Sequence, residues 1–76
     1  MLDKVKPLMA EALNLNEEEI TLEANLKDDL GIDSLDAVEL IMELEDTFDV
    51  KIEDSEAQAF VTVADIVKTL ESKGAN

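Results

Sequence analysis

The sequence predicts an all-α fold, a small four-helix bundle with three main helices and one short helix. Two observations support this prediction. Apolar residues recur at three- and four-residue intervals in several separate segments, which is the spacing of a helix face. The one short alternating segment, residues 49–52, has no second strand with which to pair. With 76 residues and no internal repeat, the chain is expected to form a single domain, residues 1–76.

The first helix is predicted over about residues 3–13. Its apolar positions at helical spacing are Leu2, Val5, Met9, Ala12 and Leu13. Pro7 must lie in the first turn or bend the helix slightly, because proline removes a backbone donor. Asn14 is expected to end the helix, since Asn tolerates the left-handed conformation. Asn16 is expected to cap a single turn over residues 17–19.

A long first loop is predicted over residues 20–27, where the apolar residues show no sustained period. The residues expected to anchor this loop to the core are Ile20, Leu22 and Leu26. Gly31 then supplies a turn, because glycine takes positive φ without steric cost. Either Asp33 or Ser34 is expected to cap the second helix, since both are good N-cap residues.

The second helix is predicted to continue to Phe48, because no Pro or Gly interrupts it and strong helix formers dominate it. At about 100° per residue its core face holds Ala37, Leu40, Ile41, Leu44 and Phe48. The other side has Leu35 and Met42 at its centre. The acidic residues around them are Asp36, Glu39, Glu43, Glu45 and Asp46. An apolar centre with a charged surround is typical of a partner-binding surface, although a solvated face remains an alternative.

Ser34 lies at the start of this helix, where backbone N–H groups are unpaired and the helix dipole favours a negative charge. A phosphate carried on its hydroxyl would be well placed there. The alternative is that Ser34 is an ordinary cap whose oxygen accepts a backbone hydrogen bond. Position alone favours the cap.

A loop and a short third helix are predicted after the second helix. Val50 and Ile52 are expected to anchor residues 49–52 inward. Asp54 or Ser55 is expected to cap the short helix, which reaches about Ala59.

The last helix is predicted to be capped by Thr62, with Asp65 three positions on in a variant of the capping box. Its buried stripe is expected to consist of Val63, Ile66, Val67 and Leu70. Gly74 lies just past its end.

The composition excludes several classes of function. The chain has no cysteine for disulfides or thiolate metal sites, and no histidine to activate Ser34 as a nucleophile. An enzyme and a catalytic residue are therefore not expected. If Gly31 took the sixth position of a calcium loop, three apolar residues would occupy ligand positions, so no dedicated metal site is expected.

The net charge of −14 points to basic protein partners, which it would attract over long distances. Nucleic acid and anionic membranes would be repelled. Ten of the twenty carboxylates fall between Asp33 and Glu56, against one lysine in that span. Residues 1–13 do not form a signal peptide and no apolar run could span a membrane, so a cytoplasmic setting is expected.

The segment LGIDSLDAVELIMELEDTF resembles the acyl carrier proteins of dissociated fatty-acid synthesis around their Asp-Ser-Leu motif. The similarity continues through residues 49–65, and the whole chain fits the size and order of the family. The resemblance implies that Ser34 carries 4′-phosphopantetheine through a phosphodiester, with Asp33 and Leu35 beside it. It also implies an ordered first loop, and a leucine, Leu26, stands where most members have an aromatic residue.

The same resemblance implies how the carrier would work. The second helix would dock phosphopantetheinyl transferase and fatty-acid synthesis enzymes through their basic patches, and the chain would be a monomer. The residues matching that surface are Asp33, Leu35, Asp36, Glu39, Met42, Glu43, Glu45 and Asp46. The composition adds a hypothesis: only Phe48 and Phe60 are aromatic, so an acyl chain could displace the otherwise aliphatic core and fold into the bundle between the second and third helices. The lining expected from helical face and the family's pattern is Val38, Ile41, Leu44, Ile52, Ala57, Phe60 and Val61.

Two alternatives remain open from the sequence. The first is a carrier of another cargo, such as a polyketide intermediate or an activated amino acid. The second is an unmodified acidic helical adaptor that binds basic proteins.

Overall fold

The fold, seen in a computed structural model that describes residues 1–74, consists of four helices joined by loops. The helices are α1 (Leu2–Leu13), α2 (Ser34–Phe48), α3 (Asp54–Gln58) and α4 (Val63–Ser72), and a 3₁₀ turn lies at Glu17–Glu19. Within the described residues no strand forms, and a single antiparallel bridge joins Asn25 to Thr62. The prediction of an all-α bundle with one short helix is confirmed.

The core is aliphatic and draws on the loops as well as the helices. Its buried residues are Val5, Met9, Ile20, Ala24, Leu26, Leu30, Ile32, Leu40, Leu44, Ile52, Val63, Ile66, Val67 and Leu70. The stripe predicted on α4 is confirmed in full, whereas α3 contributes no buried residue. Removing these side chains from water is the main stabilising term of so small a bundle. The first loop therefore contributes buried side chains to the core.

The bounds of α1 agree with the prediction, but Pro7 is not in the first turn. It is the sixth residue of the helix, on the exposed side, where water can satisfy the carbonyl group that loses its partner. Asn14 ends the helix in the left-handed conformation (φ 56°), as predicted. Asn16 precedes the 3₁₀ turn, but its side chain makes no capping hydrogen bond, so that part of the prediction is wrong.

The anchors of the first loop differ from the prediction at one position. Ile20 and Leu26 are buried as expected, but Leu22 is 39% exposed and Ala24 is buried in its place. The Ala24 N–H donates to the Thr21 carbonyl at 3.1 Å and closes a turn. Leu22 lies at the corner of that turn, which keeps its side chain outside the core.

The cap of α3 was predicted at the wrong residue. The N-cap is Glu53, and the helix begins at Asp54. The Glu53 N–H donates a hydrogen bond to the Glu56 carboxylate at 3.1 Å. The same carboxylate forms an ion pair with Lys73 Nζ at the end of α4, at 2.9 Å. The ion pair between Glu56 and Lys73 thus attaches α3, which has no buried side chain, to the buried helix α4.

The start of α4 agrees with the prediction. Thr62 is the N-cap, and the Asp65 carboxylate accepts hydrogen bonds from the N–H groups of Thr62 (3.1 Å) and Val61 (2.9 Å). These two donors lower the pKa of Asp65. Gly74 follows the helix at a φ of 78°.

The ion pair between Glu56 and Lys73 predicts a pH dependence. The Lys73 hydrogen bond, followed by that of the Glu53 N–H, lowers the pKa of Glu56 from its usual 4.5. A carboxyl group whose pKa is lower in the folded state stabilises the fold above its unfolded pKa and loses that effect as the pH falls through the folded pKa. We therefore expect Glu56→Gln to lower the melting temperature at about pH 7 and to have less effect at about pH 3.5.

The matched control is Glu11→Gln, which removes one exposed charge from α1. The difference in melting temperature between the two variants, followed by circular dichroism, should be smaller in acid than at neutral pH. A gap that is the same at both pH values would contradict a stabilising role for the ion pair.

Candidate functional site

The cap of α2 is Asp33, which resolves the choice that the sequence left open. Asp33 has extended backbone angles, and its Oδ1 accepts a hydrogen bond from the Asp36 N–H at 2.9 Å. The Ala37 N–H donates to the Asp33 carbonyl at 2.9 Å as the first bond of the helix. Ser34 is therefore the first helical residue and is exposed. The interpretation of Ser34 as the cap is wrong, and its hydroxyl is left out of the capping arrangement.

Buried side chains and a backbone hydrogen bond fix the segment that leads to Ser34. Gly31 has a φ of 66°, as the predicted turn requires. Leu30 and Ile32 on either side of it are buried at 8% and 6% exposure. The Ile32 N–H donates to the Leu26 carbonyl at 2.9 Å. An exposed hydroxyl thus stands two residues beyond a buried anchor.

The surroundings of Ser34 suit an anion carried on its hydroxyl. The first N–H groups of a helix have no partner in the preceding turn, and the dipole of the 15-residue α2 points its positive end there. Asp33 and Asp36 add negative charge near Ser34, which opposes the effect of the dipole on an anion there. The chain has no histidine that could act as a base toward this hydroxyl.

An exposed apolar stripe runs along α2 from this point. Leu35, Val38 and Met42 are 77%, 58% and 59% exposed, and their spacing of three, four and seven residues places them on one side of the helix. Leu35 and Met42 lie on the surface as predicted. Val38 was expected among the pocket residues and is the member that sequence reasoning missed. It is two residues from buried Leu40, about 200° around the helix, which was a usable signal.

The acidic residues beside this stripe are of two kinds. Glu39, Glu43 and Asp46 are exposed, and Asp36 is half-buried at the first turn. Glu45 is also half-buried, and its Oε2 accepts the Ile52 N–H at 2.9 Å. The carboxylate of Glu45 therefore holds the α2–α3 loop.

The residues predicted to line an acyl pocket fall into three environments. Leu44 and Ile52 are buried in the core, and Ile41, Ala57 and Phe60 are half-buried against it. Val38 and Val61 are 58% and 55% exposed, so they lie on the surface of the unacylated fold and outside its core. For Val61 the backbone is held on both sides, since its N–H donates to Asp65 and its carbonyl accepts from Leu26 N–H, both at 2.9 Å.

Neither a cluster of metal-ligating side chains nor a membrane-spanning helix is found in the described part of the chain. Within residues 1–74, no three acidic side chains converge in a way that could hold a metal ion. No helix of that part combines the length and the apolar composition that crossing a membrane requires.

Comparisons with known proteins agree with this geometry. A family model described as "Phosphopantetheine attachment site" matches residues 3–70. Acyl carrier proteins from Clostridium perfringens strains SM101 and ATCC 13124 are each 52% identical over 68 residues, covering 90% of this chain and 90% of theirs.

Solved structures show the same likeness. A candidate acyl carrier protein from Mycobacterium tuberculosis superposes with a TM-score of 0.87 at 35% identity, covering 93% of this chain and 95% of that one. The solution structure of another, from Anaplasma phagocytophilum, gives 0.84 at 37% identity, covering 99% and 89%.

The division between Asp33 and Ser34 predicts different effects on stability. Asp33→Ala removes the cap and should lower the free energy of unfolding by about 0.5–2 kcal/mol. Ser34→Ala should change it by less than about 0.5 kcal/mol, because alanine favours the helix and no cap is lost. Urea denaturation of both variants measures this. A larger loss for Ser34→Ala than for Asp33→Ala would contradict the assignment.

Proposed function

The chain belongs to the acyl carrier proteins and has their phosphopantetheine attachment domain, and from this premise we propose that it carries growing fatty acyl chains for the enzymes of fatty-acid synthesis. In this proposal a 4′-phosphopantetheine arm is attached to Ser34 through a phosphodiester. The observation that carries the proposal is the cap: Asp33 takes the Asp36 N–H, and Ser34 is left exposed at the first position of α2.

The arm supplies the thiol that this cysteine-free chain lacks. The chain's own contribution is to position the ester and to expose it. N–H groups of the first turn would face a phosphate held on Ser34, and buried Leu30 and Ile32 hold the backbone that leads to Ser34. The function of this family is to carry a group, so the chemical steps on the cargo belong to the partner enzymes.

Docking is assigned to the exposed side of α2. The exposed apolar stripe of Leu35, Val38 and Met42 offers contact area, and the carboxylates of Glu39, Glu43 and Asp46 surround it. Partners with basic patches, among them the transferase that attaches the arm, are steered by these charges. The stripe begins next to Ser34, so an enzyme bound there is close to the arm.

Shelter for the acyl chain is assigned to the region between α2 and α3. The five residues of α3 include none that is buried, so it is the helix that the core holds least. Ile41, Ala57 and Phe60 pack only partly against the core, and Leu44 and Ile52 lie behind them. An aliphatic chain that displaces α3 outward would meet an aliphatic wall.

The attachment site is tested by mass. After incubation with coenzyme A and a phosphopantetheinyl transferase, the wild-type chain should gain one phosphopantetheine, which fragmentation locates on Ser34. Ser34→Ala should gain none although it remains folded. Adducts on Ser55 or Ser72 in this variant would contradict the assignment, and an unmodified wild-type chain would favour an acidic adaptor.

The docking surface is tested by charge reversal. Glu39→Lys and Glu43→Lys should slow association with the transferase and weaken its salt dependence, because they remove attraction over a distance. Met42→Ala and Val38→Ala should instead speed dissociation through the loss of apolar contact.

Glu11→Lys changes the net charge equally from α1 and serves as the control in stopped-flow binding. An equal effect of the control would place the docking surface elsewhere.

Shelter of the acyl chain is tested by heat. Each buried methylene contributes up to about 0.8 kcal/mol, so about six would contribute roughly 5 kcal/mol before the cost of opening the core. The melting temperature of the acylated protein should rise with chain length until the space is full. Ala57→Trp should reduce that gain while Ser34 is still modified. Equal melting temperatures for short and medium chains at fixed salt would show that the chain stays outside.

A further inference from the structure

The first loop contains a turn that two side chains hold together. Asn25 Oδ1 accepts hydrogen bonds from the N–H groups of Lys27 (3.0 Å) and Asp28 (2.9 Å). Asp29 Oδ2 accepts the Asn25 N–H at 2.7 Å, a short bond to a charged acceptor. The Asn25 carbonyl in turn accepts from the N–H groups of Asp29 (2.9 Å) and Leu30 (3.1 Å). We call residues 25–29 the Asn25 turn.

The Asn25 turn supports the backbone directly beneath the attachment residue. The Gly31 N–H donates to the Lys27 carbonyl at 3.1 Å, and the Ile32 N–H donates to the Leu26 carbonyl at 2.9 Å. These bonds connect the turn to Ile32, the residue before the cap Asp33. The turn is therefore joined by backbone hydrogen bonds to the residues that lead into α2.

The same turn is attached to α4 on its other side. The Leu26 N–H donates to the Val61 carbonyl at 2.9 Å, and Asn25 forms the antiparallel bridge with Thr62, the cap of α4. Leu26 and Leu30 are buried at 8% each. The turn thus connects the segment before Ser34 to α4, the helix with the most buried residues.

We propose that Asn25 and Asp29 are positioning residues for the modification of Ser34, because their side chains set the direction in which α2 presents its first hydroxyl to the transferase. The proposal rests on the proposed attachment at Ser34. Asp28 and Asp29 are adjacent, exposed and equally charged, but only the carboxylate of Asp29 accepts a backbone N–H within the turn. Substituting each aspartate in turn therefore distinguishes the effect of the hydrogen bond from the effect of the charge.

The test compares Asp29→Ala with its neighbour Asp28→Ala in the transferase reaction with coenzyme A, with rates expressed per folded molecule from circular dichroism. The loss of a hydrogen bond to a charged group should slow Asp29→Ala by roughly three- to tenfold, mainly in kcat. Asp28→Ala should change the rate by less than about twofold, as expected for one exposed charge. Asp29→Asn keeps an acceptor oxygen without the charge and should recover most of the rate, as should Asn25→Asp.

Amide hydrogen exchange gives a second readout. In Asp29→Ala, exchange should quicken at Leu30 and Ile32, while Leu40 and Leu44 in the core of α2 stay as in the wild type. Equal rates for Asp29→Ala and Asp28→Ala, no rescue by Asp29→Asn, or exchange that quickens equally in the core would overturn the proposal. A wild-type chain that is not modified at Ser34 would instead refute the attachment site, so the two failures are distinguishable.

Discussion

The hydrogen bond from the Asp36 N–H to the Asp33 carboxylate is the contact on which the site depends. It makes Asp33, of the two adjacent capping residues, the cap of α2, and so leaves the Ser34 hydroxyl outside the cap. Leu40 and Leu44 are fully or almost fully buried, which prevents the helix from rotating to bring Ser34 into the capping position. Two adjacent residues therefore differ in what their side chains do: Asp33 accepts a backbone hydrogen bond of the first turn, and Ser34 is exposed with its hydroxyl outside the cap.

Acidic residues serve two purposes in this chain of net charge −14. Some carboxylates hold backbone N–H groups where helices and loops begin; these are Asp29, Asp33, Glu45, Glu56 and Asp65. Others, such as Glu39 and Glu43, are exposed on α2 beside the apolar stripe. The repulsion that so many charges cause is thus partly offset, since several of them form charge-assisted hydrogen bonds. Net charge alone does not distinguish the two groups.

The sequence predicted what local patterns determine. The bounds of α2 and the buried stripe of α4 follow from helical periodicity, and Asn14 and Gly31 were expected where positive φ occurs. The family resemblance, confirmed by the comparisons, identified the attachment domain. It did not place Val38, which is 58% exposed because it lies about 200° around the helix from buried Leu40.

What the sequence could not give depends on contacts between distant residues. The bond between Glu45 and the Ile52 N–H spans seven positions and two elements. Glu53 caps α3 although glutamate is not a favoured N-cap, because Glu56 and Lys73 support that end of the helix. In the first loop, Ala24 is buried where Leu22 was expected, because a backbone turn outweighs side-chain hydrophobicity. Asp33 and Ser34 are equally good caps in sequence, so only the geometry decides between them.

The most direct test of this separation of tasks is amide hydrogen exchange at Asp36, whose N–H is held by Asp33. We predict equal protection of this amide in the unmodified chain, in the chain with phosphopantetheine attached, and in Ser34→Ala. Protection should be lost in Asp33→Ala. Loss of protection at Asp36 in Ser34→Ala or on attachment of the arm would show that Ser34 shares the capping role, and would contradict the assignment of cap and attachment to separate residues.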